Sequence, residues 1–380
     1  MSRSKNRVVF ALLAIFALTA VVAGPAQAKR KHKPKKPNTA KVMTRNLYLG
    51  ADLTPAINAT STDDFIDKNG QILRDVDTND FPVRAKGLAG EIKQVSPDLV
   101  GLQEVALWRT GPVNLAAATG AEKTATTVHI DYLKDLMAQL NKGKKRYRVV
   151  RVQQEFDFEA PADYNGVAGD GNLPGINSNG EIDGRLTMRD VILAKVGAGI
   201  RTKNLKSANY KTLYTPTISG IPVTVQRGWL SADVKVRKGK WFRFVDTHFE
   251  AFGAPDIREA QAKELLAKGG PLRSGSMPAV LVGDLNSDDK TVSADDALAY
   301  DALKKGGMVE RGVTGKMTWG VNAGIITAGA PTDWSQRIDH VMTNRPKSVK
   351  RLAAGVTGTK PANGLWDSDH RGVWSKLKMP

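Results

Sequence analysis

Short apolar runs with polar residues at their ends recur along the chain. They fall at residues 41–49, 98–105, 147–152, 191–196, 230–236, 242–249, 279–285, 338–343 and 373–377. Their length and β-branched content predict strands. A different period marks Phe81, Ala85, Leu88, Ile92 and Val95, whose spacing of 4, 3, 4 and 3 puts one apolar stripe on a helix. Ile130, Leu133, Met137 and Leu140 repeat that stripe, and residues 256–268 and 294–305 carry weaker ones. Strands outnumber helices and several are continuous apolar runs flanked by helices. The expected class is therefore an α/β or α+β sandwich covered by helices. No internal repeat and no linker follows residue 41, which predicts one large domain over 42–380. Residues 154–185 are rich in Gly, Asn, Asp and Pro and read as a long loop. Within them Asn179, Glu181, Asp183, Gly184 and Asp190 fit a calcium-loop template poorly, with Asn first and a short Asp last.

The first 41 residues follow other rules. Arg3, Lys5 and Arg7 precede an uncharged, mostly apolar stretch over 8–24 and an Ala26-Gln27-Ala28 site. That order predicts a secretory signal peptide over 1–28, and hence an exported, extracellular protein. Left uncleaved, the same stretch would be a membrane anchor. Residues 29–41 carry seven Lys or Arg and no acid, so they read as a basic disordered tail suited to anionic cell surfaces or to a solvated spacer. Without the three leader cations and those seven, the formal charge drops from +18 to +8. Most of the basic excess lies outside the expected domain. The absence of cysteine excludes a disulfide framework, a thiolate metal site and a thiol nucleophile.

Polar residues abutting the strands carry the chemistry. Asn46 ends the first run, Glu104 the second, His248 the run over 242–248, and Asp284 with Asn286 the run over 279–286. Asp339 opens another, and Asp369 and His370 precede the last. Such positions gather binding and catalytic groups on a rigid scaffold. Carboxylates with an amide and no thiolate suit a hard divalent cation, Mg²⁺, Mn²⁺ or Ca²⁺. Two imidazoles and further acids supply water activation and transition-state donors, and together these point to phosphate-ester hydrolysis.

In that order Asn46, Gln103-Glu104-Val105, Thr247-His248, Gly283-Asp284-Leu285-Asn286, Arg337-Ile338-Asp339 and Ser368-Asp369-His370 resemble the endonuclease/exonuclease/phosphatase superfamily. The resemblance runs from about Lys41 to Met379. It implies a four-layer sandwich of two packed β-sheets flanked by helices. It further implies that Asn46, Glu104 and Asp369 belong to the metal site, and that Asp284 orients or deprotonates water. By the same likeness Asn286 holds the phosphate, His370 acts at phosphorus against Asp339, and His248 is a second imidazole. An acid from a middle strand pairs with that second imidazole in deoxyribonuclease-like members, and Asp190 is the candidate here. His340, by strand alternation, faces away and reads as structural.

The resemblance implies a metal-dependent phosphoric ester hydrolase. Ser335-Gln336-Arg337 departs from the inositol phosphatases, and Gln103-Glu104-Val105-Ala106 from the repair endonucleases. An exported nuclease acting on DNA or RNA in a basic cleft is the favoured reading. The alternatives are a sphingomyelinase or phospholipase C type of hydrolase acting on phospholipid headgroups, and a non-catalytic module that binds anionic ligands. No obligate protein partner is implied, and a monomer is expected.

Overall fold

The structure, a computed structural model, describes residues 38–119, 122–167, 182–218, 220–289, 293–320, 334–361 and 366–380. The expected signal peptide, most of the basic tail, and Asn179 and Glu181 of the calcium-loop template lie outside the described residues. The tail ends earlier than the sequence suggests: the first strand begins at Thr39, and Ala40 is already fully buried.

In chain order, β1 (Thr39–Asn46) leads to helices α1 (Thr54–Ile57), α2 (Thr62–Thr78) and α3 (Phe81–Val95). Then come β2 (Leu99–Gln103), β3 (Leu107–Gly111), β4 (Thr127–Asp131), α4 (Tyr132–Asn141), β5 (Tyr147–Ala162) and β6 (Ile182–Lys195). Next are β7 (Ile200–Asn209), the ribbon β8 (Thr217–Ile218) with β9 (Ile221–Pro222), β10 (Gly228–Val236) and β11 (Trp241–His248). The chain closes with α5 (Pro255–Leu266), β12 (Ala279–Asp284), α6 (Leu298–Lys305), β13 (Val309–Glu310), β14 (Asp339–Thr343), β15 (Lys350–Val356) and β16 (Val373–Lys378).

Eight strands form one sheet in the order β15-β16-β1-β2-β6-β3-β4, with β5 also paired to β6. Six form the other, in the order β13-β14-β12-β11-β10-β7. Strand alternation sets the layers. Val42 of β1 and Leu99 of β2 meet Val280 and Val282 of β12 and Phe244 of β11 between the sheets. The opposite faces of the same strands, Met43 and Val100, pack under α2, α3 and α4 with Leu73, Leu88 and Leu136. On the far side Leu281 and Val245 pack under α5 and α6 with Leu265 and Leu303. Each such side chain contributes about 1.5–3 kcal/mol by leaving water. The expected four-layer sandwich is what forms.

Most of the described residues of the expected loop over 154–185 are strand. β5 runs on to Ala162 and β6 begins at Ile182. On β5, Phe156, Phe158 and Ala160 alternate with Glu155, Asp157 and Glu159. Two of the acids find partners inside the fold: Asp157 binds Arg185 at 2.7 Å and Lys123 at 3.0 Å, and Glu159 Oε1 accepts from Thr124 N at 2.8 Å. A polar segment with internal partners thus looks like a loop until its partners are known. The stripe from Ile130 is also split, because Ile130 lies in β4 and the helix starts at Tyr132, capped by Asp131.

Candidate active site

Topology gathers the candidate residues at one end of the sandwich. β1 and β2 run parallel in one sheet, as do β11 and β12 in the other, so Asn46 and Gln103 share one strand end, His248 and Asp284 share another, and the contact between Asn46 and Asp284 brings the two ends together. β14 runs antiparallel to β12, which sets its first residue, Asp339, opposite Asp284. His248, Asp284 and Asp339 therefore stand side by side on three adjacent strands. Asp369 and His370 arrive just before β16, antiparallel beside β1. At Glu104, φ is +53°, a left-handed turn that swings its carboxylate back over the end of β1.

The side chains interlock. Asn46 Nδ2 donates to Glu104 Oε1 and to Asp284 Oδ2, each at 2.9 Å, while its Oδ1 accepts from Tyr48 N. Glu104 Oε2 accepts from Leu49 N at 2.7 Å. Asp284 Oδ1 accepts from Asn286 N at 2.9 Å, and Asn286 Nδ2 is fixed by Phe249 O. His370 Nδ1 donates to Asp339 Oδ2 at 2.9 Å, and its Nε2 lies 3.6 Å from Asp284 Oδ2 and 4.0 Å from Asp369 Oδ1. Trp319 Nε1 donates to Asp369 Oδ2 at 3.3 Å. All the predicted residues except Asp190 thus belong to one connected cluster, and Asp190 stands just behind it.

Burial shapes the charges. It would strip the proton from His370, but Asp339, Asp284 and Asp369 outweigh it and raise the imidazole to about 10. Asp284 is pushed up to about 7, first by burial and then by Asp339, with His370 opposing. Burial likewise lifts Asp369 to about 6. His248 goes the other way. Burial, Arg227 and His370 hold it well below the usual imidazole range.

Behind His248 lies a second group that spacing does not reveal. Arg227 Nη1 donates to His248 Nδ1 at 3.0 Å, and Arg227 Nε lies 3.5 Å from Glu250 Oε2. Arginine has no acceptor, so His248 must keep Nδ1 bare and carry its proton on Nε2. Asp190 is brought beside this ring together with Glu155, with donor atoms of the three within 4.8 Å of one another. The direct bond to the histidine, however, is made by Arg227. Both acids are fully buried and lack a hydrogen-bond partner of good geometry. Burial raises Glu155 to about 8, and burial with Glu155 raises Asp190 well above the carboxylate range. Burial thus favours the protonated form of both acids.

The donor set can hold a cation. Potential ligand atoms of Glu104, His248 and Asp284 lie within 4.8 Å of one another, as do those of Asp284, Asp339 and His370, and with both imidazoles protonated at Nε2 the carboxylates are the ones that would ligate. Carboxylate oxygens dominate both groups, which suits a hard divalent ion. A cation there would also relieve the burial that lifts Asp284 and Asp369. Asp369 forms no three-residue group of this kind among the described residues. His340 faces away as expected, binding Glu310 at 2.7 Å and Ser287 O at 3.1 Å.

The model of the endonuclease/exonuclease/phosphatase family matches residues 69–370. The chain belongs to that family. No curated protein matches it in sequence. Among solved structures it is similar to an endonuclease/exonuclease/phosphatase family protein of Bacteroides thetaiotaomicron, at 17% identity and a TM-score of 0.53, over 91% of this chain and 99% of that one. It is also similar to a mannosyl-6-phosphatase of the same species, at 16% identity and a TM-score of 0.52, over 89% and 99% of the two chains. A Bacteroides vulgatus family protein gives 16%, 0.51, and coverage of 90% and 100%. At these identities the likeness is one of fold. Members of the family are divalent-metal-dependent phosphoesterases and nucleases, and this family member is a phosphoric ester hydrolase.

Proposed function

We propose that the protein is an exported, divalent-metal-dependent phosphodiesterase that uses water to cleave an anionic diester. The observation that carries this reading is the run Asp339–His370–Asp284. It joins a cationic imidazole to a carboxyl that titrates near 7, with 3.6 Å between them. Asp284 is suited to take a proton from the attacking water at neutral pH. His370, kept protonated and oriented by Asp339, offers Nε2–H to the oxygen on which charge develops. His248, neutral with its proton on Nε2, adds a second donor. A hard divalent ion, held by Glu104 with Asn46 and the neighbouring carboxylates, would neutralise charge on a phosphoryl oxygen.

A nuclease calls for a basic cleft. Beside these residues the cavity wall carries two basic side chains among the described residues, Arg227 and Arg258. They lie 3.5 Å from Glu250 and 3.6 Å from Asp296. Acids at Asp52, Glu104, Asp284, Asp296 and Asp369 share the same wall. This balance favours a substrate with one phosphodiester over a polyanion, whose binding grows with each phosphate neutralised.

Purified protein with Mg²⁺ or Mn²⁺ should hydrolyse bis(p-nitrophenyl) phosphate, and chelation should abolish the activity. His370→Ala and Asp284→Ala should each lower kcat by about 10²–10⁴-fold while circular dichroism stays native. Parallel assays on plasmid DNA, RNA and phospholipid vesicles rank the substrates. Full activity in His370→Ala would sink the reading.

A further inference from the structure

We infer that the apolar cavity beside Asp284 and His370 is a subsite for a hydrocarbon chain, so that the diester cleaved is a lipid phosphodiester. The inference rests on the phosphodiesterase reading above. The cavity holds about 600 Å³, within the range of ligand pockets, about 300–1,000 Å³. It is continuous with the catalytic end, because Asp284, Asn286 and His370 line it too.

Much of its apolar wall comes from three parts of the chain. The apolar faces of β5 and β6 supply Phe156, Phe158 and Leu186. The α1–α2 segment adds Leu53 and Phe65, and the ribbon β8–β9 with its flanks adds Ile218. Phe65 and Phe158 meet edge to face with centroids 6.3 Å apart, so the α2 and β5 walls are braced against each other.

The chemistry of the occupant follows from the lining. Such a surface gains from every methylene that leaves water, and it offers a polynucleotide no run of unpaired cations along which to lie. Set beside a phosphorus-directed cluster, the cavity fits an ester substituent made of hydrocarbon. The step needs no co-reactant beyond water. An O–P bond forms, the P–O bond to the leaving alcohol breaks, and the proton taken from water is matched by one delivered to the leaving oxygen.

The test is a series of n-alkyl phosphates from butyl to dodecyl, titrated calorimetrically into the Mn²⁺-loaded protein. Affinity should rise about fourfold per methylene until the cavity is full. Leu53→Trp, which fills the cavity, and Ile218→Asp, which wets it, should each cut the dodecyl-to-butyl affinity ratio by about tenfold or more. A flat series, or a dinucleotide phosphate binding more tightly than dodecyl phosphate, would overturn the subsite. Hydrolysis of bis(p-nitrophenyl) phosphate reads the reaction separately. A steep series without hydrolysis supports the subsite and overturns the phosphodiesterase reading, whereas hydrolysis with a flat series does the reverse.

Discussion

An imidazole 3.4 Å from one carboxylate and 3.9 Å from another ordinarily gains a proton, yet His248 is held below its usual range. His370 shares the neighbour Asp284 and is raised to about 10. The difference lies at Nδ1, which faces the Arg227 guanidinium in His248 and the Asp339 carboxylate in His370. Opposite partners on equivalent atoms give one neutral and one cationic imidazole in a single site, the separation that acid–base roles need. Arg227→Met should therefore do two things. It leaves the buried Glu250 without its cation, at a cost of about 3–5 kcal/mol by urea denaturation. It should also let His248 protonate at a higher pH, read from its ring ¹⁵N shifts in the metal-free protein. An unchanged His248 titration would rule out the guanidinium as the cause. Nothing in the sequence marks Arg227, which lies 21 residues from His248 and in no motif. The acid side was visible at Asp190 because that residue sits in an apolar strand, but its companion Glu155 was hidden in what read as a loop.

At the scale of elements, what could be read was whatever declares itself by a single period. The strands that pack between the sheets are apolar on both faces or clean alternators, and their sequence expectations match β1, β2, β10, β11, β12, β14 and β16 closely. The helices α3 and α5 also fall where their stripes put them. Helix α2 escaped because its polar residues outnumber its apolar ones, although Ser61 caps it and Asp63 and Asp64 sit favourably in its first turn. Its position is fixed by contact with β5, which a one-dimensional pattern does not contain. Asp163 N donates to Ile66 O at 3.1 Å, and Arg74 Nη1 donates to Asp163 O at 2.6 Å. At Gly70 the backbones approach so closely that an added Cβ would lie 1.7 Å from Asp163 O. Gly70→Ala thus tests the docking. Helix propensity alone would stabilise the variant by about 1 kcal/mol. The clash should reverse that sign and cost about 1–3 kcal/mol, seen as a lower urea midpoint. A higher midpoint would show that α2 does not need this approach.

At the scale of the molecule, the site was legible because strand direction converts six separated motifs into one end of a sandwich. The buried charges that hold the sheet edges are a different matter, since each depends on partners far apart in sequence. Glu310 on β13 shows what they do. Burial would raise its carboxyl, but His340 and Arg337 overcome that and lower it to about 2. The contacts are 2.7 Å to His340 Nδ1 and 3.0 Å to Arg337 Nη1, and Gly312 N donates to Oε1 at 2.6 Å. Arg337 also reaches Asp289, so the carboxylate ties the sheet edge to the segment after β12. The ordinary value of the acid is 4.5. Above it both folded and unfolded chains carry the charge, and the full stabilisation is present. As pH falls from 4.5 towards 2 the unfolded chain takes up a proton that the folded state refuses, so stability is lost over that window. A shift of this size corresponds to about 3 kcal/mol, at 1.36 kcal/mol per unit. Glu310→Gln should be less stable than the native protein by about that amount at pH 7. The gap should narrow between pH 4.5 and 3 in urea titrations. Comparing the two proteins at each pH cancels the self-repulsion that a basic chain gains in acid. A gap that stays constant with pH would assign the loss to packing and remove the carboxylate charge as its source.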